Sequence, residues 1–188
     1  MSDMLTETSR RRLCATEYLE LIDREVLGPD HRVELIGGEL IAMPPQNPPH
    51  GSTITRIGMA FRRLPPSVLL WSQITFVAGE DFVPDPDFVL LRPRADFYGS
   101  ALPRAADAFA VVEVSHTTLA RDRGTKLRGY AAAGIAEYWI ANVKAKTIEV
   151  HREPHATGYA SKRIAKHGDT VAFAAFADVV FTADELLG

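Results

Sequence analysis

Two acidic residues stand where acids are costly. Asp87 opens the run Pro86-Asp87-Phe88-Val89-Leu90-Leu91, and Glu113 is embedded in Phe109-Ala110-Val111-Val112-Glu113-Val114-Ser115. Both runs are short, apolar and bounded by polar or breaking residues, the pattern of buried strands. An ionised carboxylate in such a strand is strongly disfavoured unless a cation or hydrogen-bond donors neutralise it. The basic stretch Arg121-Asp122-Arg123-Gly124-Thr125-Lys126-Leu127-Arg128 follows. Two strand acids and a nearby lysine are the parts that metal-assisted phosphodiester hydrolysis requires. Carboxylates hold a divalent cation with open water positions, a water is deprotonated or held in line, and charge on the phosphoryl and leaving oxygens is offset.

Each candidate also has a plainer reading. An acid near a strand end can cap a turn or pair with a surface arginine. Asp85 competes with Asp87, because Pro84-Asp85-Pro86-Asp87 puts both acids on one side of an extended chain. Asp87 is preferred because the strand begins directly after it, which leaves Asp85 as a turn residue or an outer partner. Asp122, Lys126 and Tyr130 are spaced by four and share a helix face. That spacing gives either an exposed Asp122–Lys126 pair with Tyr130 beside it, or a lysine directed back across the sheet. Glu34, between Val33 and Leu35-Ile36, is either a third carboxylate near the cation or a cross-strand partner for Arg32 or Lys126. His50 follows a proline run and caps a helix or lies on a cleft rim, with a structural role favoured over direct catalysis. Neither Ser115 nor Cys14 sits in a nucleophile elbow, and no glycine-rich phosphate loop precedes a helix.

The elements that must position these groups follow from periodicity. Thr16 reads as a helix N-cap, with Leu19, Ile22 and Val26 at helical spacing and Gly28-Pro29 as the stop. Two extended runs flank Gly37-Gly38, a hairpin signal. Pro44 to Pro49 reads as a surface connection, excluded from helix and central strand. A second helix is predicted over about 52–64, ended by Pro65-Pro66, and strands over 68–77 and 82–91 joined near Gly79. The central strand spans 109–114, and a helix over about 119–133 ends at Gly134. Strands are predicted over 136–142, 147–152, 159–165 and 170–174, and Thr182-Ala183-Asp184-Glu185 is a capping box. The apolar C-terminal stretches around Val171 and Phe181 read as core rather than interface. This order implies an α/β (α+β mixed) fold, a central mixed sheet flanked by helices with additional antiparallel strands.

The 188 residues suit a single domain, residues 15–188, behind a loose polar tail, residues 1–14. Apolar residues make up 46% and charged residues 24%, an ordinary globular balance. No apolar run approaches the roughly 20 residues of a membrane helix. The N-terminus lacks the basic start and apolar stretch of a secretion signal. Cys14 is the only cysteine, which excludes an internal disulfide and a cysteine zinc site. A cytoplasmic protein without a membrane partner is expected. The net charge of −3 argues against a generic basic coat for nucleic-acid binding, though a bound cation adds its own charge.

Several pieces, taken in order, resemble one family. They are Thr16-Glu17-Tyr18-Leu19, Val33-Glu34-Leu35-Ile36-Gly37-Gly38-Glu39-Leu40, Pro49-His50, Pro86-Asp87, Val111-Val112-Glu113-Val114-Ser115, Arg121-Asp122-Arg123-Gly124-Thr125-Lys126, Tyr130, Gly134 and Glu137-Tyr138-Trp139-Ile140. Together they resemble the Uma-type family of bacterial restriction-endonuclease-like proteins, within the PD-(D/E)XK nuclease superfamily. The resemblance implies a restriction-endonuclease-like fold, Mg²⁺ as cofactor with Mn²⁺ as a substitute, DNA as substrate, and a homodimer among the expected states. It assigns the motif aspartate to Asp87 and the motif glutamate to Glu113, with the backbone carbonyl of Val114 as a further ligand. Glu34 matches the extra acid many superfamily members carry near the metal. The superfamily lysine is expected two positions after Glu113, where this chain has Ser115. In this branch Lys126 takes its place. The expected function is a Mg²⁺-dependent DNA endonuclease acting through a metal-activated water. A non-catalytic nucleic-acid- or protein-binding member of the fold is the alternative, and a hydrolase of small phosphoesters ranks last.

Overall fold

The computed structural model describes residues 11–188. The expected tail therefore lies mostly outside the described residues. Of its last residues, Leu13 donates its N–H to the Gly38 carbonyl at 2.9 Å and packs beside the first helix.

Helix α1 spans Ala15–Asp23. Its N-cap is Cys14 rather than Thr16, because Glu17 reaches back to accept the Cys14 N–H at 3.0 Å. Strands β1 (Val33–Ile36) and β2 (Glu39–Ala42) form the predicted hairpin, with φ +59° and +78° at Gly37 and Gly38. Two successive positive φ angles are what this tight turn requires and what glycine supplies. Helix α2 covers Pro48–Phe61 and starts earlier than predicted. Pro48 and Pro49 occupy its first turn, where an absent N–H costs nothing, and Asn47 caps it by accepting the His50 N–H at 3.2 Å.

Strand β3 is Leu69–Trp71. The run 82–91, expected as one strand, is two. β4 (Phe82–Val83) joins β1, and β5 (Phe88–Leu91) joins the main sheet. Pro84 and Pro86 lack the donors that would continue a ladder between them. Strand β6 (Ala108–Ser115) follows, then helix α3 (Leu119–Arg121), a π-helical turn (Asp122–Lys126) and helix α4 (Leu127–Ala132). Strands β7 (Glu137–Asn142), β8 (Thr147–His155) and β9 (Gly158–Ala165) complete the main sheet. A short pair, β10 (Thr170–Val171) and β11 (Phe181–Thr182), precedes helix α5 (Ala183–Leu187), which Thr182 caps.

The main sheet runs β3-β5-β6-β7-β8-β9. Only β6 and β7 are parallel, joined by the α3–π–α4 crossover, so the sheet is mixed as expected. One face buries Val112, Trp139, Phe61 and Phe173, with Trp139 stacked on Phe173 at 3.9 Å between ring centroids. The opposite face buries Val89, Val111, Tyr138 and Ile140 beneath the crossover. Phe173 and Phe181 are fully interior, which places the apolar C-terminal stretches in the core. Among the described residues, no helix is long and apolar enough to cross a membrane.

Candidate active site

Strand pairing brings the two predicted acids to adjacent positions. β5 and β6 are antiparallel with Phe88 opposite Val112. One residue further along that register, Asp87 stands opposite Glu113, and opposite residues send their side chains to the same face. Asp87 Oδ2 accepts the Val114 N–H at 2.7 Å, and Gln73 approaches its Oδ1 at 3.3 Å. An extended residue points its N–H and C=O to the same strand edge. The Ser115 carbonyl serves Val143 on the β7 side, so the Val114 carbonyl faces the Asp87 side.

Glu113 is interior, and both its donors reach one oxygen. Lys126 Nζ lies 2.9 Å and the Tyr130 hydroxyl 2.7 Å from Oε1, and among the described residues none donates to Oε2. Burial drives the Glu113 pKa up to about 8. Lys126 offsets only part of that shift, while Asp122, Asp87 and Glu34 add to it. Burial alone would pull Lys126 down, but the carboxylates of Glu113, Glu34 and Asp122 outweigh it and keep the ammonium protonated. Lys126 is thus a fixed cation, not a base.

Glu34 meets the same lysine from the other sheet. Its Oε1 accepts from Lys126 Nζ at 2.7 Å and from the Asp85 N–H at 2.9 Å. Lys126 therefore ties the β1 hairpin to the central strand, and the exposed Asp122–Lys126 pair is excluded because both side chains are buried. Asp122 instead accepts from Ser115 Oγ at 2.5 Å and from Thr118 Oγ1 at 2.6 Å. Those anchors lie at the start of the π turn, a distortion often found at functional sites. Asp85 keeps a buried oxygen, Oδ1, without a partner, and burial raises its pKa. Gly129 lets the crossover close on the sheet: a Cβ there would lie 2.6 Å from the Phe82 ring. That approach delivers Tyr130 to Glu113.

His50, expected to cap a helix or lie on a cleft rim, instead reaches the acid pair. It sits in the first turn of α2 with Nε2 3.4 Å from Asp87 Oδ2. Its pKa is raised chiefly by that contact, against a lowering by burial. The proline run hid this placement, since it read as a break rather than as a helix start.

Glu34, His50, Asp85, Asp87, Glu113, Asp122 and Lys126 line one cavity of about 610 Å³. Glu25, Arg32 and Gln73, also in its lining, adopt positive φ without being glycine. Such conformations cost on the order of 1–3 kcal/mol each and gather where function demands them. Among the described residues, no three His, Cys, Asp or Glu side chains form a ready metal cage. Magnesium needs none, because one or two carboxylates and several waters commonly hold it. Asp87, Glu113 and the Val114 carbonyl are the groups that could do so. The fit is chemical: buried carboxylates outnumber the one buried lysine, and an oxygen of Glu113 accepts no donor.

A central mixed sheet with paired acids and a buried lysine on one face defines a nuclease-like fold. The Uma2 family model, described as "Putative restriction endonuclease", matches residues 15–184, and the chain belongs to that family. A solved structure from Anabaena variabilis ATCC 29413, described as "a putative nuclease belonging to DUF820", superposes with a TM-score of 0.70 at 15% identity. The match covers 93% of this chain and 97% of that one, which bears out the fold. No curated protein shows significant sequence similarity to the chain.

Proposed function

We propose that this chain is a divalent-cation-dependent nuclease that hydrolyses phosphodiester bonds in DNA. The observation that supports it most is the placement of Asp87 opposite Glu113, with Lys126 held 2.9 Å from Glu113. In this reading Asp87, Glu113 and the Val114 carbonyl hold Mg²⁺, for which Mn²⁺ substitutes. When bound, the ion supplies a water of lowered pKa and neutralises charge on the phosphoryl oxygens. The chain's residues do the rest. Val114 N–H and His50 fix the Asp87 carboxylate, and Tyr130 fixes Glu113. Lys126, permanently charged, faces the phosphoryl oxygens as negative charge builds on them. Glu34 takes part by holding Lys126 in place; its second oxygen lies 3.9 Å from Arg121.

The test is cleavage of plasmid and oligonucleotide DNA with Mg²⁺ or Mn²⁺, comparing wild type with Asp87→Ala and Glu113→Ala. Activity in the wild type and its loss in both variants is the expected result. Equal cleavage by all three proteins eliminates the assignment.

A further inference from the structure

The cavity holds features that the hydrolysis of a phosphodiester does not need. Its floor is the acid–lysine centre, where Asp87, Glu113 and Lys126 are each less than a tenth exposed. Ile22 and Leu27, from α1 and the turn after it, belong to one apolar cluster and line the cavity, as does Met43 from the stretch after β2. A duplex presents phosphates and sugars outward, and proteins meet it with broad basic surfaces burying about 1,000–2,500 Å². Apolar side chains such as these suit the face of an unstacked base instead. The volume of about 610 Å³ falls within the range of roughly 300–1,000 Å³ that encloses one small-molecule-sized ligand. Besides Lys126, the arginines lining the cavity are Arg32 and Arg121, few contacts for a long backbone track. The net charge of −3 adds no general attraction for a duplex.

Resting on the nuclease reading above, we propose that the substrate is an unpaired nucleotide in a DNA strand. Its base lies against Ile22, Leu27 and Met43, and its phosphate reaches the Asp87–Glu113–Lys126 floor. Arg32 and Arg121 face the flanking phosphates. The hydrolysis itself is balanced by water: the water oxygen bonds to phosphorus, the P–O bond to the leaving sugar oxygen breaks, and the proton lost by the water is made up at that oxygen, which leaves as a hydroxyl. An unpaired nucleotide can come from a single strand or from one displaced out of a duplex, and both share this chemistry.

The full chain is assayed with Mn²⁺ on a single-stranded oligonucleotide, the same sequence as a blunt duplex, a duplex with a single-stranded flap, and a duplex with a one-nucleotide bulge. Cleavage of the single strand and flap about tenfold faster than the blunt duplex, or more, is expected. Added cleavage at the bulge identifies displaced nucleotides as a second source. Blunt duplex cut as fast as single strand overturns the proposal while leaving the nuclease reading intact. No cleavage of any substrate overturns both. Leu27→Glu and Met43→Glu put a carboxylate where the base would lie, and either folded variant should cut the single strand about tenfold more slowly. Unchanged single-strand cleavage in a folded variant also overturns the proposal.

Discussion

Glu113 and Glu149 rise from the same face of one sheet, separated by Ile140, which pairs with both. Both are interior, yet their surroundings are opposite. Glu149 meets Arg123 at Oε1, and Lys162 at 2.7 Å and His151 at 3.5 Å at Oε2. Burial pushes its pKa up, but those donors outweigh it and leave the carboxylate well below the usual range. Glu113 shares its lysine with Glu34 and has other acids around it, so its proton is held far more tightly. On the other face, Glu137 resembles Glu149. It accepts from Trp139 Nε1 at 2.6 Å, Arg152 at 2.8 Å and the Ala174 N–H at 2.7 Å. A buried acid with matched donors holds a fold together. A buried acid short of positive charge stores a demand for a cation, and here that shortage sits on a cavity. Burial raises the pKa of both Glu113 and Glu149; donors outweigh it at Glu149, while at Glu113 one shared lysine does not.

The comparison breaks most sharply by neutralising each acid. Glu113→Gln and Asp87→Asn should each lower the DNA cleavage rate by at least about 10²–10³-fold, the scale of losing one electrostatic contact to a transition state. Glu113→Gln should also melt no lower than wild type without metal, because it removes a buried carboxyl that resists ionisation. Glu137→Ala should do the reverse. It strands the indole N–H, the guanidinium and a backbone N–H, and should cost roughly 3 kcal/mol in denaturant unfolding. The folded Glu137→Ala protein should keep wild-type cleavage. If it loses as much activity as Glu113→Gln, charge balance does not separate the two classes of acid.

That contrast was only half legible in the sequence. Asp87 and Glu113 stood out because each interrupts an apolar run, and the runs were close enough to pair. The Gly37-Gly38 hairpin and the crossover helix were legible from turn chemistry and periodicity. The π turn was not, because side chains four apart share a face in an α-helix too; it begins at Asp122, which accepts from Ser115 and Thr118. The His50–Asp87 contact was hidden by prolines that start a helix as readily as they end one. The pairing of Glu149 and Glu137 was not legible, because their partners Arg123, Lys162 and the Ala174 N–H are remote in the chain. Charge balance is a property of tertiary neighbours, and one sequence does not count them.

The two acids should also respond to pH with opposite sign. The folded pKa of Glu113 is raised, so between the ordinary glutamate value of 4.5 and about 8 the folded protein binds more protons than the unfolded chain. Stability of the metal-free protein should then fall as pH rises through that window, by up to about 1.4 kcal/mol per pH unit. Glu113→Gln should flatten the slope, and Mg²⁺ should oppose the fall by binding the ionised form. Glu149 has a depressed folded pKa, so its contribution is present above the ordinary value of 4.5 and is lost as pH falls below it. Thermal melts of wild type, Glu113→Gln and Glu149→Gln from acid to alkaline pH read both slopes. A wild-type curve that rises between pH 5 and 8 contradicts the charge shortage at Glu113.

The smallest expected effect sharpens the comparison at the level of one hydroxyl. Tyr130 donates to Glu113 at 2.7 Å, and Tyr159 donates to the Ile135 carbonyl at 2.9 Å. Either Phe substitution removes a hydrogen bond worth about 0.5–1.5 kcal/mol net. At Tyr159 the loss should appear in stability alone. At Tyr130 the lost donor had favoured the ionised carboxylate. Tyr130→Phe should therefore raise the Glu113 pKa, shift the alkaline fall in stability to higher pH, and slow cleavage by about three- to tenfold. Because the packing of the ring is kept, a fall in cleavage rate at Tyr130→Phe that Tyr159→Phe does not show at a similar loss of stability ties the hydroxyl to the charge state of Glu113. Equal effects of the two substitutions on cleavage would show that the sheet face, and not the shortage of charge at position 113, governs activity.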